Sequence, residues 1–248
     1  MGIRGTGLNS NDGGIWKAPY TLAAASKPLT ILTWVKDDTN DFGPPAAYGG
    51  MGNGAGQGYL GIQTTSSSIY AEERDSANAA SDAGPLTVSL HPSGWLPVIA
   101  VFRSQSSRTL YGTNGSSAPE TTALGAATYN WVTLGDYYSS LTAASVPCPA
   151  TKSMAEFAIW RTELGVQEIA SLQSGGSPLR IRPESLLCYF PLRSDLTDLG
   201  PLRLRLQGPA PVWGPHPPVA PIKPMAFRLR GASAQTPFVL GPQLVWMD

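Results

Sequence analysis

Helical spacing and strand alternation meet at one point in this chain, residues 156 to 173, "EFAIWRTELGVQEIASLQ". The first half alternates, with Phe157, Ile159 and Arg161 on one face, whereas Val166, Ile169, Ala170 and Leu172 recur at the spacing of a helix. A helix of about two turns is expected there, with Gly165 as its N-cap and Glu168 at the third helical position. Long helical patterns are nearly absent elsewhere, and 27 Gly and 23 Pro supply ample turn punctuation. Many short strands follow as the expected architecture.

The strands can be placed. "LTILTWVK" (Leu29 to Lys36) sets Ile31, Thr33 and Val35 on one face and Leu32 and Trp34 on the other. Strands are also expected at Tyr59 to Gln63 and in "SIYAEERD", "LTVSL", "WLPVIAVF" with Pro97 marking its start, "RTLYGTNG" and "WVTLGD". The unbroken apolar run from Val98 to Phe102 suits a strand covered on both sides. Another strand is expected at Leu186 to Pro191, followed by a turn built by Asp195, Asp198 and Gly200. A last strand, "LRLRLQG", would turn Leu202, Leu204 and Leu206 inward and Arg203 and Arg205 outward. Beyond it Pro209, Pro211, Pro215, Pro217, Pro218, Pro221, Pro224, Pro237 and Pro242 disfavour regular structure and predict an extended, polyproline-like arm.

Four stretches, taken in order, resemble the laminin-G-like branch of the concanavalin-A-like lectin/glucanase superfamily, of the kind found in phage virion proteins. They are "LTILTWVK", "SGWLPVIAVFRSQSSRTLYGTNG", "MAEFAIWRTELGVQEIASL" and "LLCYFPLRSDLTDLG". The resemblance implies an all-β chain, a jelly-roll sandwich with one short helix packed at its edge, to which the proline density adds a Pro-rich C-terminal arm. The expected organisation is an N-terminal segment 1–24 joining the sandwich, a jelly-roll domain 25–207 and the arm 208–248.

Chemistry has few candidates. A retaining glucanase of this superfamily would need two closely spaced carboxylates. Glu72, Glu73 and Asp75 in "YAEERD", and Glu156 with Glu163, come nearest. Glu72 and Glu73 are adjacent and point to opposite faces of a strand, and Glu163 lies past a strand end, so solvated surface charges are expected. Asp37, Asp38, Asn40 and Asp41 could gather round a cation, but Phe42 stands where an EF-hand loop needs Gly, and an acidic turn is expected instead. His91 in a Pro/Gly turn and His216 in the arm are the two histidines, and neither forms a triad. No metal, cofactor or catalytic residue is expected, and the chain is read as a non-enzyme.

Charge and cysteine usage narrow the partners. The net charge is zero, which gives no global attraction to nucleic acid or anionic membrane. Residues 1–200 hold 12 Lys/Arg against 16 Asp/Glu, a net of −4, whereas residues 201–248 hold five against Asp248, a net of +4. Cys148 and Cys188 show no metal-ligand spacing and are expected to be reduced. "MGIRGTGLNSNDGG" lacks the profile of a signal peptide; Gly2 and Thr6 fit a myristoylation pattern, which is too short to be a specific signal.

Most of Trp16, Trp34, Trp95, Trp131 and Trp160 fall in expected strands and read as core. Trp213 and Trp246 fall in the arm and read as anchors, together with Arg228, Arg230, Phe238 and Leu240. The expectation is a phage or prophage virion structural protein, a capsid decoration or cement protein docked through its arm and homo-oligomeric. Its partners would be other virion proteins, the major capsid protein or a tail component, with the virion as its location. The alternative is a lectin-like host-recognition module of a tail fibre, binding a surface glycan through loops 37–45, 50–58 and 112–127.

Overall fold

The computed structural model describes residues 3–4, 16–22, 27–37, 46–53, 58–65, 68–87, 94–113, 115–135, 148 and 152–219. Fourteen strands follow one another among these: β1 (Ile3–Arg4), β2 (Trp16–Leu22), β3 (Leu29–Asp37), β4 (Ala46–Gly52), β5 (Tyr59–Thr65), β6 (Ser68–Arg74) and β7 (Ala80–Thr87). After them come β8 (Leu96–Ser104), β9 (Ser107–Gly112), β10 (Gly115–Ser116), β11 (Tyr129–Leu134), β12 (Lys152–Trp160), β13 (Leu186–Phe190) and β14 (Val212–Trp213). Helix α1 (Val166–Gln173) and a 3-10 turn (Pro178–Arg180) lie between β12 and β13.

Two antiparallel sheets result. One runs β10-β9-β8-β3-β12-β1-β14, with β13 also on β12, and the other runs β2-β11-β4-β5-β6-β7. The main core lies between them. Ile31, Val35, Val98, Phe102, Phe157 and Ile159 from the larger sheet meet Trp16, Met51, Leu60, Ile62, Ile69 and Leu134 from the smaller. In the smaller sheet Gly50 and Gly61 face each other across β4 and β5, and a Cβ on Gly50 would stand 2.0 Å from the Leu60 carbonyl oxygen. Only glycine fits so close a backbone approach.

The larger sheet is buried on its other face too. Leu32, Trp34, Ile99, Val101, Ala158 and Trp160 form a second cluster with Leu164, Ile169, Leu172, Leu186, Tyr189 and Val219. This is why the runs in β3, β8 and β12 are apolar on both parities. Helix α1 is the cover, started as expected: the Gly165 N–H donates to Glu168 Oε2 at 2.7 Å. Burial of Ile169 and Leu172 contributes about 1.5–3 kcal/mol each. Val166, at the first helical position, is 73% exposed instead. Arg161 also departs from its expected face: it lies just past β12 and is exposed.

Two segments differ from the sequence reading. "LRLRLQG" is not a strand: Leu202 is exposed, Leu204 is half-buried, and isolated bridges Thr197↔Arg205 and Lys17↔Gln207 replace a ladder. The cause is Asp198, fully buried, whose carboxylate accepts the N–H groups of Tyr189 (2.6 Å), Gly200 (2.5 Å) and Leu204 (3.2 Å) and folds the chain around itself. Arg203, at φ +51°, breaks the extended backbone.

The first part of the proline-rich segment is the second difference. Val212 and Trp213, which with Gly214 separate Pro211 from Pro215, pair with Arg4 and Ile3 and so extend the larger sheet. Pro209 O accepts the Trp16 indole N–H at 2.9 Å, and Val219 is buried in the second cluster. Residues 208–219 form a strap across the sandwich. Residues 220–248, which carry Arg228, Arg230, Phe238, Leu240 and Trp246, lie outside the described residues.

Candidate functional site

The carboxylates are not where a solvated surface would put them. Glu72, Glu73, Asp75 and Glu156 are all buried, which corrects the expectation of surface charge: Glu73, Asp75 and Glu156 find partners remote in sequence, and Glu72 pairs with Arg74 on its own strand. Glu73 points between the sheets, where Lys27 pairs with it and Arg108 Nε lies 3.3 Å from its Oε2. Arg108, fully buried, donates to the Gln105 carbonyl at 2.7 Å and the Thr122 carbonyl at 3.2 Å. Burial pushes the Lys27 ammonium below its ordinary value, with Glu73 opposing.

Glu72 takes the opposite face of β6, where Arg74 Nε donates to it at 2.5 Å. It is in register with Asp82 on β7. Desolvation first, and then the Glu72 charge, push Asp82 up to about 6. Asp75 accepts the N–H groups of Gly125, Ala77 and Ala79, each at 2.9 Å, and the Gly125 bond chiefly holds it below the usual carboxylate range. It fastens the 117–127 loop to the sandwich. Glu163 is exposed and pairs with Arg103 at 2.7 Å.

Glu156 sits at a bulge in β12, where the register to β3 shifts between Ala155 and Ala158. Its φ of +53° re-aims the side chain. The Tyr189 hydroxyl donates to it, Arg193 Nη2 approaches at 3.3 Å, and His216 Nε2 lies 2.8 Å away. These carboxylates are thus held by separate partners: Glu73 by cations between the sheets, Glu156 under the strap. Glu73 and Glu156 share no partner among the described residues, whereas a nucleophile and an acid would face one cavity. Among the described residues no three His, Cys, Asp or Glu side chains are grouped to hold a metal ion. No described helix is long and apolar enough to cross a membrane. Of the acidic turn at 37–41 only the Asp37 backbone is described, and His91 lies outside the described residues.

Trp16 and Trp160 are fully buried and Trp34 nearly so, as core residues. Trp131 is half-buried, with the Lys17 ammonium 5.1 Å from its ring centroid. Trp213 is different. It lines an open cleft of about 560 Å³ with Ser194, Asp195, Leu196, Arg205 and Gln207. Its indole is half-buried and packs on the main core, so it belongs to the sandwich and not to a free arm.

The cleft walls are fixed by backbone. Leu206 N–H donates to Leu196 O at 3.0 Å, Gln207 exchanges two 2.8 Å bonds with Lys17, and Trp213 is held in β14. The cleft is not among the expected loops. Trp213 stands out in the sequence by its proline-rich setting, but Asp195 and Arg205 read only as a turn and a strand residue. Of the expected glycan loops, 112–127 is tied down through Arg108, Glu120 and Asp75.

No protein-family model matches the chain, and no curated protein does. Solved structures do. The chain is similar to the heptameric SAP-like pentraxin of Limulus polyphemus, at 12% identity and a TM-score of 0.52, over 71% of this chain and 82% of that one. It is also similar to the binding domain of botulinum neurotoxin serotype D, at 12% identity and a TM-score of 0.52, over 67% of this chain and 41% of that one. Domains LG4-5 of the mouse laminin α1 chain align at 13% identity with a TM-score of 0.49, over 66% of this chain and 43% of that one.

Proposed function

We propose that this chain, a jelly-roll sandwich of the concanavalin-A-like fold, is a non-enzymatic recognition domain that binds a sugar-containing receptor. The observation that carries the reading is the Trp213 cleft. It sets an indole held by the sheet beside side-chain donors on a rigid wall, and Asp195 is its single described carboxylate. An aromatic face with a few placed polar groups is the usual make-up of a small-ligand site, whereas glycoside hydrolysis needs two carboxylates. The structurally similar proteins include a toxin binding domain, which fits a receptor-binding role. A glycan array probed with the full chain, with calcium and with chelator, tests it. Binding to a defined sugar family supports the reading, and silence under both conditions removes it.

A second reading keeps the virion. The strap ends at Val219, anchored in the second cluster, and the 29 residues after it hold the basic and apolar set Arg228, Arg230, Phe238, Leu240 and Trp246. A segment of that composition after a fixed anchor suits an arm laid on neighbouring capsid or tail subunits, with homo-oligomerisation through arm exchange. Co-sedimentation with phage capsids, comparing the full chain with one ending at Val219, decides it. Loss of binding on truncation supports the arm, and equal binding discards it.

A further inference from the structure

Within the recognition reading, on which this step rests, we infer that the Trp213 cleft selects a sugar bearing a carboxylate, received by Arg205. The charges in the cleft are unequally engaged. Asp195 keeps its charge but is fixed in its own turn, where its Oδ1 accepts the Thr197 N–H at 3.0 Å. Arg205 is exposed, and its guanidinium makes no hydrogen bond or ion pair among the described residues. The side chains of Ser194 and Gln207 and the Trp213 indole N–H are likewise without partners among the described residues. The cleft thus offers donors in excess.

An unpaired surface arginine alone would say nothing. Here its backbone is pinned by the bridge to Thr197, and Trp213 is pinned by its pairing with Ile3. Both line a concavity of about 560 Å³, within the ~300–1,000 Å³ of small-ligand sites. A guanidinium presents a planar fork that fits a carboxylate with two parallel hydrogen bonds. The indole beside it gives an apolar face for the C–H side of a pyranose ring. A neutral sugar would use the indole and leave the guanidinium in water.

The test uses the full-length protein and matched probes: sialyllactose against lactose, and a hyaluronan tetrasaccharide against its carboxyl-reduced form, titrated calorimetrically. At least one acidic probe is expected to bind about tenfold or more tightly than its neutral partner, with affinity falling as salt is raised. Arg205→Gln, at an exposed site, should bring the acidic probe to the neutral level. Trp213→Phe should weaken both. Equal binding of acidic and neutral probes, or an unchanged Arg205→Gln, overturns the acid selectivity while leaving sugar recognition in place. Binding of neither pair overturns it as well, and silence on the wider array then removes the recognition reading.

Discussion

Glu156 Oε1 lies 2.8 Å from His216 Nε2, joining a buried carboxylate at the β12 bulge to the proline-rich strap. The same imidazole approaches Pro191 O at 3.0 Å through Nε2 and Pro217 O at 2.9 Å through Nδ1. The contact clasps residues 208–219 to a strand far back along the chain.

His216→Ala removes one of the groups that compensate Glu156 and is expected to cost about 1.5–3 kcal/mol, the range for hydrogen bonds to charged groups. Truncation should be sharper. A chain ending at Gln207 loses this clasp, the Trp16 to Pro209 bond and the burial of Val219, and should be at least about 3 kcal/mol less stable than one ending at Val219. Urea unfolding of both chains, followed by tryptophan fluorescence, measures the difference. Equal midpoints would refute the strap as a structural element.

Arg108, Lys27 and Glu73 meet, largely buried, between the sheets, and Glu73 is the one anion of the three. Glu73→Gln should therefore be the worse single change, at about 3–5 kcal/mol, because it leaves two cations between the sheets without a carboxylate. Arg108→Met keeps the Lys27 pair with Glu73 and loses mainly the bonds to the Gln105 and Thr122 carbonyls, about 1.5–3 kcal/mol. Thermal denaturation of the two variants reads the difference. An Arg108→Met protein less stable than Glu73→Gln would contradict it.

Asp82 carries a pH dependence. Its folded value, about 6, lies above the ordinary carboxylate value, so the fold binds its proton more tightly than the unfolded chain does. Its contribution is fully present below about pH 4 and is lost as pH rises through about 6. Because the residue keeps exposed surface, solvent screening holds the amplitude below about 1 kcal/mol. Asp82→Asn should flatten the slope between about pH 4 and 6 in chemical denaturation series, and an unchanged slope would count against the pairing with Glu72.

Cys148 and Cys188 are free and buried, and burial pushes the Cys188 thiol well above its ordinary value. Neither should react with a disulfide reagent at about pH 8 in the native protein, and both should titrate after unfolding. Fast labelling of native protein would place at least one of them at the surface.

How far the sequence reaches follows from range. Short apolar and alternating runs between turn residues place β3, β8, β9, β11, β12 and β13, and the change of period locates α1 with Gly165 and Glu168 at its start, because burial on a pleat or a helix face repeats within a few residues. The turn at Asp195, Asp198 and Gly200 is equally legible, since such side chains bond to backbone nearby. Local pattern fails where a residue's fate depends on a remote partner. Glu73, Arg108 and Glu156 have the composition of surface charges and are buried only because Lys27, Thr122, Tyr189 and His216 arrive from other strands and loops. Proline density describes backbone freedom alone, so it marks 208–219 as an arm, while the Trp16 indole, the open edge of β1 and the second core cluster make it a strap. The Trp213 cleft is beyond local pattern for the same reason: it exists only where the strap crosses the turn after β13, a meeting that tertiary packing decides.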